Sequence, residues 1–278
     1  MTMISASAAA SATAPFPLGS NPVPSEAIFA AAGLLLPHLE RGDRVDAATL
    51  RSAMETAFCA SDATGAWDWK TAYDACEAAT VIFLRKYGKA LFRKAGTPAA
   101  RLSALTKIAG LLPTHTRRST ESQTFQQFST PIPLGLVAAR AAAITPTDRV
   151  LEPSAGTGLL AILAEIAGGA LVVNELAETR AGLLDLLFPA VPITRFDAAQ
   201  IDDHLDSAVT PSVVLMNPPF SAMANVEGRV ADTTWRHVTS ALARLAPDGR
   251  LVTITGASFA PDNQVWRDAF VRDRKSVV

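Results

Sequence analysis

Short apolar segments alternate with helical ones from residue 131 onward, and this alternation limits the fold more than any other feature. Five segments are predicted to be buried strands: RVLEP, ALVVNE, PITRFD, SVVLMN and LVTITG. Helical patterns lie before, between and after the first four of them. Strands that alternate with helices are joined by right-handed crossovers into a parallel sheet. The sequence therefore predicts an α/β, Rossmann-like, doubly wound fold with a mainly parallel sheet.

A helical region precedes this part. Residues 1–24 contain no charged residue and are rich in Ala, Ser, Thr and Pro, so they are predicted to be a disordered tail. Residues 25–112 show helical periodicity and are predicted to form a small α-helical domain. Residues 113–278 are assigned to the α/β domain, which begins with a polar, extended segment.

Caps and breakers give the expected helix ends in the first region. Ser25 and Asp46 are predicted N-caps, and Pro37 is expected to end or kink the first helix. Gly88 is expected to close the third helix, and Pro98 to open the fourth.

Charge is distributed unevenly along the chain. Residues 78–120 contain nine basic and no acidic residues, although the whole chain has a net charge of −1. Such a stretch favours an anionic partner, with DNA or RNA as the expected one; the alternative is a solvated helix face. The predicted nucleic-acid contacts are Arg85, Lys89, Arg93, Arg117 and Arg118.

Other composition features indicate a cytoplasmic protein that does not enter a membrane. Cys59 and Cys76 are isolated, as expected of reduced core thiols. The apolar run over residues 27–36 is too short to span a bilayer, and the N-terminus lacks a basic signal region. The four histidines are too scattered to predict a metal site.

The loop after the first strand, EPSAGTGLLA, indicates a cofactor. Gly156, Gly158 and Ala161 fit the pattern G-x-G-x-x-G/A, in which glycines let backbone approach a ligand at a helix N-terminus. Glu175, at the end of the second strand, is placed to bind two ribose hydroxyls. These features fit NAD, FAD and S-adenosylmethionine alike.

Two further acids favour S-adenosylmethionine. Glu152 precedes the glycine loop, where a carboxylate suits the ammonium group of a methionine moiety better than a phosphate. Asp197 can accept a hydrogen bond from an adenine amino group, although either acid could instead cap a strand end. The predicted cofactor residues are Glu152, Pro153, Ser154, Ala155, Gly156, Thr157, Gly158, Glu175, Asp197 and Asn217.

The turn NPPF after the fourth strand carries the predicted chemistry. If the Asn217 side-chain oxygen and the Pro218 carbonyl both accept from an NH2 group, the nitrogen can pyramidalise and direct its lone pair at a methyl group. Pro218 and Pro219 fix φ and hold these acceptors in place beforehand. Phe220 offers a flat face for a base, which must be flipped out of a duplex.

The segments QQFSTP, LEPSAGTG, NEL, RFD and NPPF occur in this order. The order resembles that of gamma-class amino-methyltransferases acting on N6 of adenine. The resemblance implies S-adenosylmethionine as cofactor and adds Phe128, Thr130 and Pro131 to its site. The helical region and LLPTHTRRSTESQTFQQFSTPIPLG resemble the methylase part of bacterial strawberry-notch-type helicase–methylase fusions.

Two departures from the family follow. A methyltransferase sheet normally ends with a sixth and a seventh strand, but only some twenty residues follow Gly256, so the sheet is expected to be incomplete. Gamma-class DNA enzymes also carry a target-recognition domain after the catalytic one, and none is expected here. In addition, no Walker A motif is present, so a helicase half is expected to be encoded separately or lost.

Other functions remain open at this stage. NPPF-type loops also occur in methyltransferases of guanine N2 in ribosomal RNA, and NPPY in those of a protein glutamine. The chain could also be an inactive fragment that binds nucleic acid or a helicase. A nicotinamide dehydrogenase is disfavoured because no residue supplies an acid for hydride transfer.

Overall fold

The computed structural model of the protein describes residues 22–113, 129–219 and 230–256. Four helices form its first part: α1 (Pro24–Arg41), α2 (Ala47–Phe58), α3 (Trp69–Ala95) and α4 (Pro98–Ala109). The second part begins with α5 (Ile132–Ala141) and continues with β1 (Arg149–Glu152), α6 (Leu159–Ala167), β2 (Ala170–Asn174), α7 (Glu178–Leu187), β3 (Ile193–Thr194), α8 (Ile201–His204), β4 (Val213–Met216), α9 (Val230–Arg244) and β5 (Arg250–Thr253).

The described strands form one sheet in the order β3-β2-β1-β4-β5, and all neighbours are parallel. In β1, Leu151 pairs with Val172 on one side and with Val214 on the other. The predicted α/β class with a parallel sheet is therefore confirmed. The prediction of an incomplete sheet concerns residues 257–278, which lie outside the described residues.

Helices cover both faces of the sheet. In β4, Val213 and Leu215 pack in the cluster that contains residues of α5 and α6, whereas Val214 and Met216 pack with α8 and α9. Strand side chains alternate between faces, so a fully buried strand such as VVLM must be apolar throughout. The sequence showed this as an unbroken apolar run.

The helical region packs directly on the α/β part. Helix α1 lies against α7, and α3 lies against α6. Buried residues of α1 such as Ile28 and Leu35 belong to the same continuous core as Leu183 and Leu187 of α7. The four N-terminal helices therefore share one hydrophobic core with the helices that cover one face of the sheet.

Of the five predicted helix ends, Asp46 and Pro98 are confirmed, Ser25 and Gly88 were wrong, and Pro37 does not end α1. Ser25 is not a cap, because the helix already begins at Pro24. Helix α1 continues through Pro37. Proline has no N–H, so the Gly33 carbonyl loses its donor four residues on. Gly33 is exposed, so water can replace that donor. Asp46 caps α2 as predicted, accepting from the Thr49 N–H at 2.8 Å.

Gly88 lies inside α3 and does not close it. It is buried, and a Cβ placed there would lie 2.5 Å from Cδ1 of Ile166 on α6. The missing side chain lets α6 approach α3 closely, so this glycine serves helix packing and not helix termination. None of the helices in the described ranges combines the length and apolar character that a membrane span requires.

We expect two glycine-to-alanine changes to differ in their effect on stability. Gly88→Ala should be less stable than the control variant by about 1–3 kcal/mol, because the end of the Ile166 side chain must move to make room for the added methyl. Gly33→Ala is the matched control: it lies inside α1 with nothing within 4 Å of its added methyl, and it should stabilise by about 0.5–1 kcal/mol. Urea unfolding measures both, and equal effects would contradict the packing role of Gly88.

Candidate active site

A cleft with a cavity volume of about 200 Å³ opens at the carboxyl ends of the strands. It lies where the strand order reverses between β1 and β4, the usual ligand position in doubly wound sheets. Of the residues predicted for the cofactor and the chemistry, the cleft brings together Thr130, Glu152, Pro153, Ser154, Ala155, Gly156, Thr157, Glu175, Asp197, Asn217 and Pro219.

The glycine loop forms the floor between β1 and α6. Gly156 and Gly158 have φ angles of +58° and +87°, which favour glycine. A Cβ at Gly158 would also lie 2.6 Å from the ring of Phe188. Gly158 is thus required for packing behind the loop, and it does not line the cleft.

Glu175 fastens this loop to the end of β2. Its Oε2 accepts from the Gly156 N–H at 2.8 Å, and its Oε1 accepts from the Ala177 N–H at 2.9 Å. Each carboxylate oxygen has a second lone pair, so these bonds do not exhaust its capacity for hydroxyl donors.

Glu152 is the most confined acid of the cleft. It is only 2% exposed, and its Oε2 has no hydrogen-bond partner among the described residues. Burial, and after it the negative charge of Glu175, raise the pKa of Glu152 well above its usual value. A buried, incompletely paired carboxylate needs a proton or a cation, so this group fits the ammonium of an amino-acid moiety.

Asp197 lies at the exposed rim of the cleft, three residues after β3. Its Oδ1 accepts from the Ala199 N–H at 2.9 Å and so caps a short 3₁₀ turn. Asp197 therefore caps this turn and not a strand end, and it lines the cleft as well.

Asn217 follows β4 and lines the same cleft as the glycine loop. Its Nδ2 donates to Oγ1 of the buried Thr130 at 2.9 Å. Thr234 of α9 donates from Oγ1 to the Pro219 carbonyl at 3.3 Å. The amide and the turn that carries it are thus held by side chains from two other elements.

The other predicted site residues lie elsewhere. Pro218 is buried beneath the turn, and Pro131 is exposed at the start of α5; neither lines the cleft. Phe128 and Phe220 fall outside the described residues.

Asn174 is a site residue that sequence reasoning missed. It is fully buried; its Nδ2 donates to the carbonyls of Pro153 and Phe196, and its Oδ1 accepts from the Thr194 hydroxyl and the Phe196 N–H. One amide therefore ties the ends of β1, β2 and β3 together. The sequence signal that could have revealed it is a polar residue at the end of the otherwise apolar strand β2.

Two acids of α3, Asp74 and Glu77, were also missed. Asp74 forms a buried bidentate pair with Arg180, which lines the cleft, at 2.7 and 3.1 Å. Oε2 of Glu77 accepts from Ser129 Oγ at 2.8 Å and from Thr157 Oγ1 at 2.6 Å. The signal was a pair of acids three residues apart on the buried stripe of a helix. Further cleft residues outside the prediction are Leu159, Leu160, Leu176, Phe196, Ala198 and His237.

The predicted nucleic-acid contacts differ in their surroundings. Arg85 donates to the Glu165 carboxylate and to the Leu187 carbonyl, and its guanidinium stacks 4.4 Å from the Phe188 ring centre. Lys89 and Arg93 are exposed on the last turns of α3. Arg117 and Arg118 fall outside the described residues.

Comparison with known proteins gives structural neighbours only. No family model matches the chain, and no curated protein matches its sequence. TrmN from Thermus thermophilus is 25% identical and covers 49% of this chain with a TM-score of 0.40. A provisionally assigned RNA methyltransferase from Pyrococcus horikoshii is 18% identical, covers 61% of this chain and 79% of its own length, and has a TM-score of 0.45.

The modification subunit of a provisionally assigned type I restriction enzyme from Vibrio vulnificus is 15% identical. It covers 53% of this chain and 34% of its own length, with a TM-score of 0.35. The chain spans 41% of the TrmN chain.

Glu152→Gln should stabilise the free protein at neutral pH. Since the folded-state pKa of Glu152 is raised above its ordinary value of 4.5, the folded chain binds more protons than the unfolded chain between pH about 4.5 and that raised pKa. Wild-type stability therefore falls as pH rises through this window. The neutral amide avoids this loss, so the difference in Tm between variant and wild type should grow from pH 5 to pH 8.

The exposed Glu55→Gln serves as control, and its difference in Tm should not change with pH in this way. A Tm of Glu152→Gln that stays below wild type by the same amount at both pH values would show that Glu152 is paired in the free protein.

Proposed function

We propose that this chain transfers a methyl group from S-adenosylmethionine to N6 of adenine in DNA. The observation that carries the proposal is that Asn217, its amide nitrogen held by Thr130, lies in the same cleft as the glycine loop and the buried Glu152. A strand-end amide beside a cofactor loop is what methylation of a conjugated amine requires.

The residues of the cleft fit this cofactor. Glu152 would bind the ammonium group, and Glu175 the ribose hydroxyls, while the exposed Asp197 would accept from the adenine amino group. The backbone N–H groups of the glycine loop and of the start of α6 would face the methionine and ribose parts of the cofactor. The bound cofactor supplies a methyl group activated by a positively charged sulfur.

Asn217 would activate the acceptor amine. The Pro218 carbonyl is the second predicted acceptor, although the buried Pro218 does not line the cleft. If the Asn217 Oδ1 and this carbonyl both accept from the N–H bonds, the nitrogen lone pair is withdrawn from conjugation with the ring and points out of its plane. The new N–C bond would form as the sulfur–methyl bond breaks, with the electron pair of that bond going to the sulfur and S-adenosylhomocysteine leaving. The positively charged nitrogen would then release a proton to water. No general base is needed before transfer, because the proton is lost afterwards, and acceptors fixed in advance lower the ordering cost.

DNA is proposed as substrate on two grounds. The FSTP segment resembles that of gamma-class DNA enzymes, and two of its residues, Ser129 and Thr130, line the cleft. Exposed basic residues, Lys89, Arg93 and Lys94, follow one another along the end of α3 and could contact phosphates. The resemblance to strawberry-notch-type fusions extends the proposal to a helicase partner.

The substrate class is tested by incubating the chain with tritiated S-adenosylmethionine and DNA, ribosomal RNA or protein. The proposal expects label in DNA and N6-methyladenine on mass spectrometry of its nucleosides. Label found in RNA as N2-methylguanine, or in a protein glutamine, would show that DNA is not the substrate, while the proposed cofactor would stand. No label, together with no heat on titration with S-adenosylhomocysteine, would favour a non-enzymatic binding fragment.

Asn217→Ala should lower the transfer rate by at least about 10²–10³-fold, as loss of a fixed polar group facing the reacting atom does in other enzymes. Cofactor affinity, measured by calorimetry with S-adenosylhomocysteine, should change little. Gln200→Ala, which removes an exposed amide outside the cleft, is the control and should match wild type. Equal losses of rate and affinity in Asn217→Ala would count against its role in activating the amine.

A further inference from the structure

Helix α3 of the N-terminal region places two carboxylates against the cleft. Asp74 and Glu77 are three residues apart, so they point to the same side of the helix. Asp74 is buried in its pair with Arg180, and Glu77 is half-buried. Each contacts a residue that lines the cleft, although both lie more than fifty residues before the glycine loop.

Glu77 joins two walls of the cleft. The same oxygen, Oε2, accepts from Ser129 at 2.8 Å and from Thr157 at 2.6 Å. Ser129 belongs to the segment that precedes α5, whereas Thr157 belongs to the glycine loop between β1 and α6. A single acceptor that receives two hydroxyl donors fixes the distance between the segments that carry them, and hydrogen bonds to a charged acceptor are stronger than neutral ones.

The segment that precedes α5 also contacts the side-chain amide of Asn217. Ser129 is bonded to Glu77, and the next residue, Thr130, accepts from Nδ2 of Asn217 at 2.9 Å. A shift of the Ser129–Thr130 peptide would therefore move the acceptor that orients the Asn217 amide. Because the two residues are adjacent and only a few torsions separate their hydroxyls, a displacement of Ser129 is transmitted in part to Thr130.

We infer that Glu77 is a positioning residue of the active site, with one branch through Ser129 and Thr130 to Asn217 and a second branch through Thr157 to the glycine loop. This inference rests on the proposed function, because it assigns the two branches to the acceptor amine and to the cofactor. Glu77 itself is not among the residues that line the cleft. The helical region is then a functional wall of the cleft and not only a support for the α/β part.

The two branches can be separated by single substitutions. Ser129→Ala breaks only the first, so it should lower kcat about tenfold or more and leave the affinity for S-adenosylhomocysteine within about twofold. Thr157→Val keeps the side-chain shape and breaks only the second, so it should weaken that affinity about tenfold with a smaller effect on kcat. Thr157→Ser and Ser129→Thr, which retain the hydroxyls, should restore most of each loss.

Removal of the acceptor should combine both effects. Glu77→Leu is expected to lower kcat and affinity together, and the effect of Ser129→Ala should largely disappear in the Glu77→Leu background. Glu165→Gln is the matched control: it removes a carboxylate that also ties α3 to α6, through Arg85, but that does not reach the cleft. If Glu77 only attached α3, Glu165→Gln would reproduce its effects on kcat and affinity, and the inference would fall.

A readout without catalysis keeps this inference separate from the proposed function. The side-chain amide signal of Asn217 in a ¹⁵N NMR spectrum, assigned by its loss in Asn217→Ala, should shift in Ser129→Ala and Glu77→Leu but not in Glu165→Gln. If the wild-type chain transfers no methyl group and the signal still shifts, the proposed function fails and the positioning role stands.

If the wild-type chain is active and the signal stays fixed in Ser129→Ala and Glu77→Leu, the positioning role is overturned and the function stands. Should Glu77→Leu fail to fold, Ser129→Ala and Thr157→Val decide the question on their own, because unchanged kcat, affinity and amide signal in both would overturn it.

Discussion

The reversal of strand order between β1 and β4 is the constraint on which the cleft depends. The crossover helix after β1 packs on one face of the sheet and the helix before β5 on the other, so the chain ends of these two strands diverge. The glycine loop and the Asn-Pro-Pro turn leave the sheet at this point and face each other. Two segments about sixty residues apart are thereby brought to one cavity.

Charged side chains, most of them acidic, determine which ligands the cleft can bind. Glu152 and Glu175 line it, Asp197 lies at its rim, and the guanidinium of Arg180 is held by Asp74. The raised pKa of Glu152 means that folding buries a carboxylate without full compensation. A chain selected for stability alone would replace such a group, so its place beside the glycine loop is more easily explained by a cationic ligand.

Features encoded locally could be predicted from the sequence. The five strands and their parallel arrangement follow from apolar runs between helical patterns, and the strand-end residues of the cleft follow from where those runs stop. Features that depend on distant packing could not. Gly88 resembled a helix end because nothing local reveals that Ile166 occupies the space of its side chain.

The contribution of α3 to the cleft was missed for the same reason. Its stripe was interpreted as hydrophobic core, which it largely is, and the two acids within it become meaningful only when Arg180 and Thr157 are placed opposite them. Asn174 is a third case, because its four bonds join backbone and side-chain groups that lie about twenty residues away in sequence.

In the proposed function, the cleft binds the amino-acid end of S-adenosylmethionine against Glu152. Calorimetry of the wild-type chain with S-adenosylhomocysteine and with 5′-methylthioadenosine, which lacks the amino-acid ammonium, tests it most directly. The account predicts that S-adenosylhomocysteine binds at least about tenfold more tightly, since a hydrogen bond to a charged group contributes about 1.5–3 kcal/mol. Equal affinity for the two compounds, or no binding of either, would contradict it.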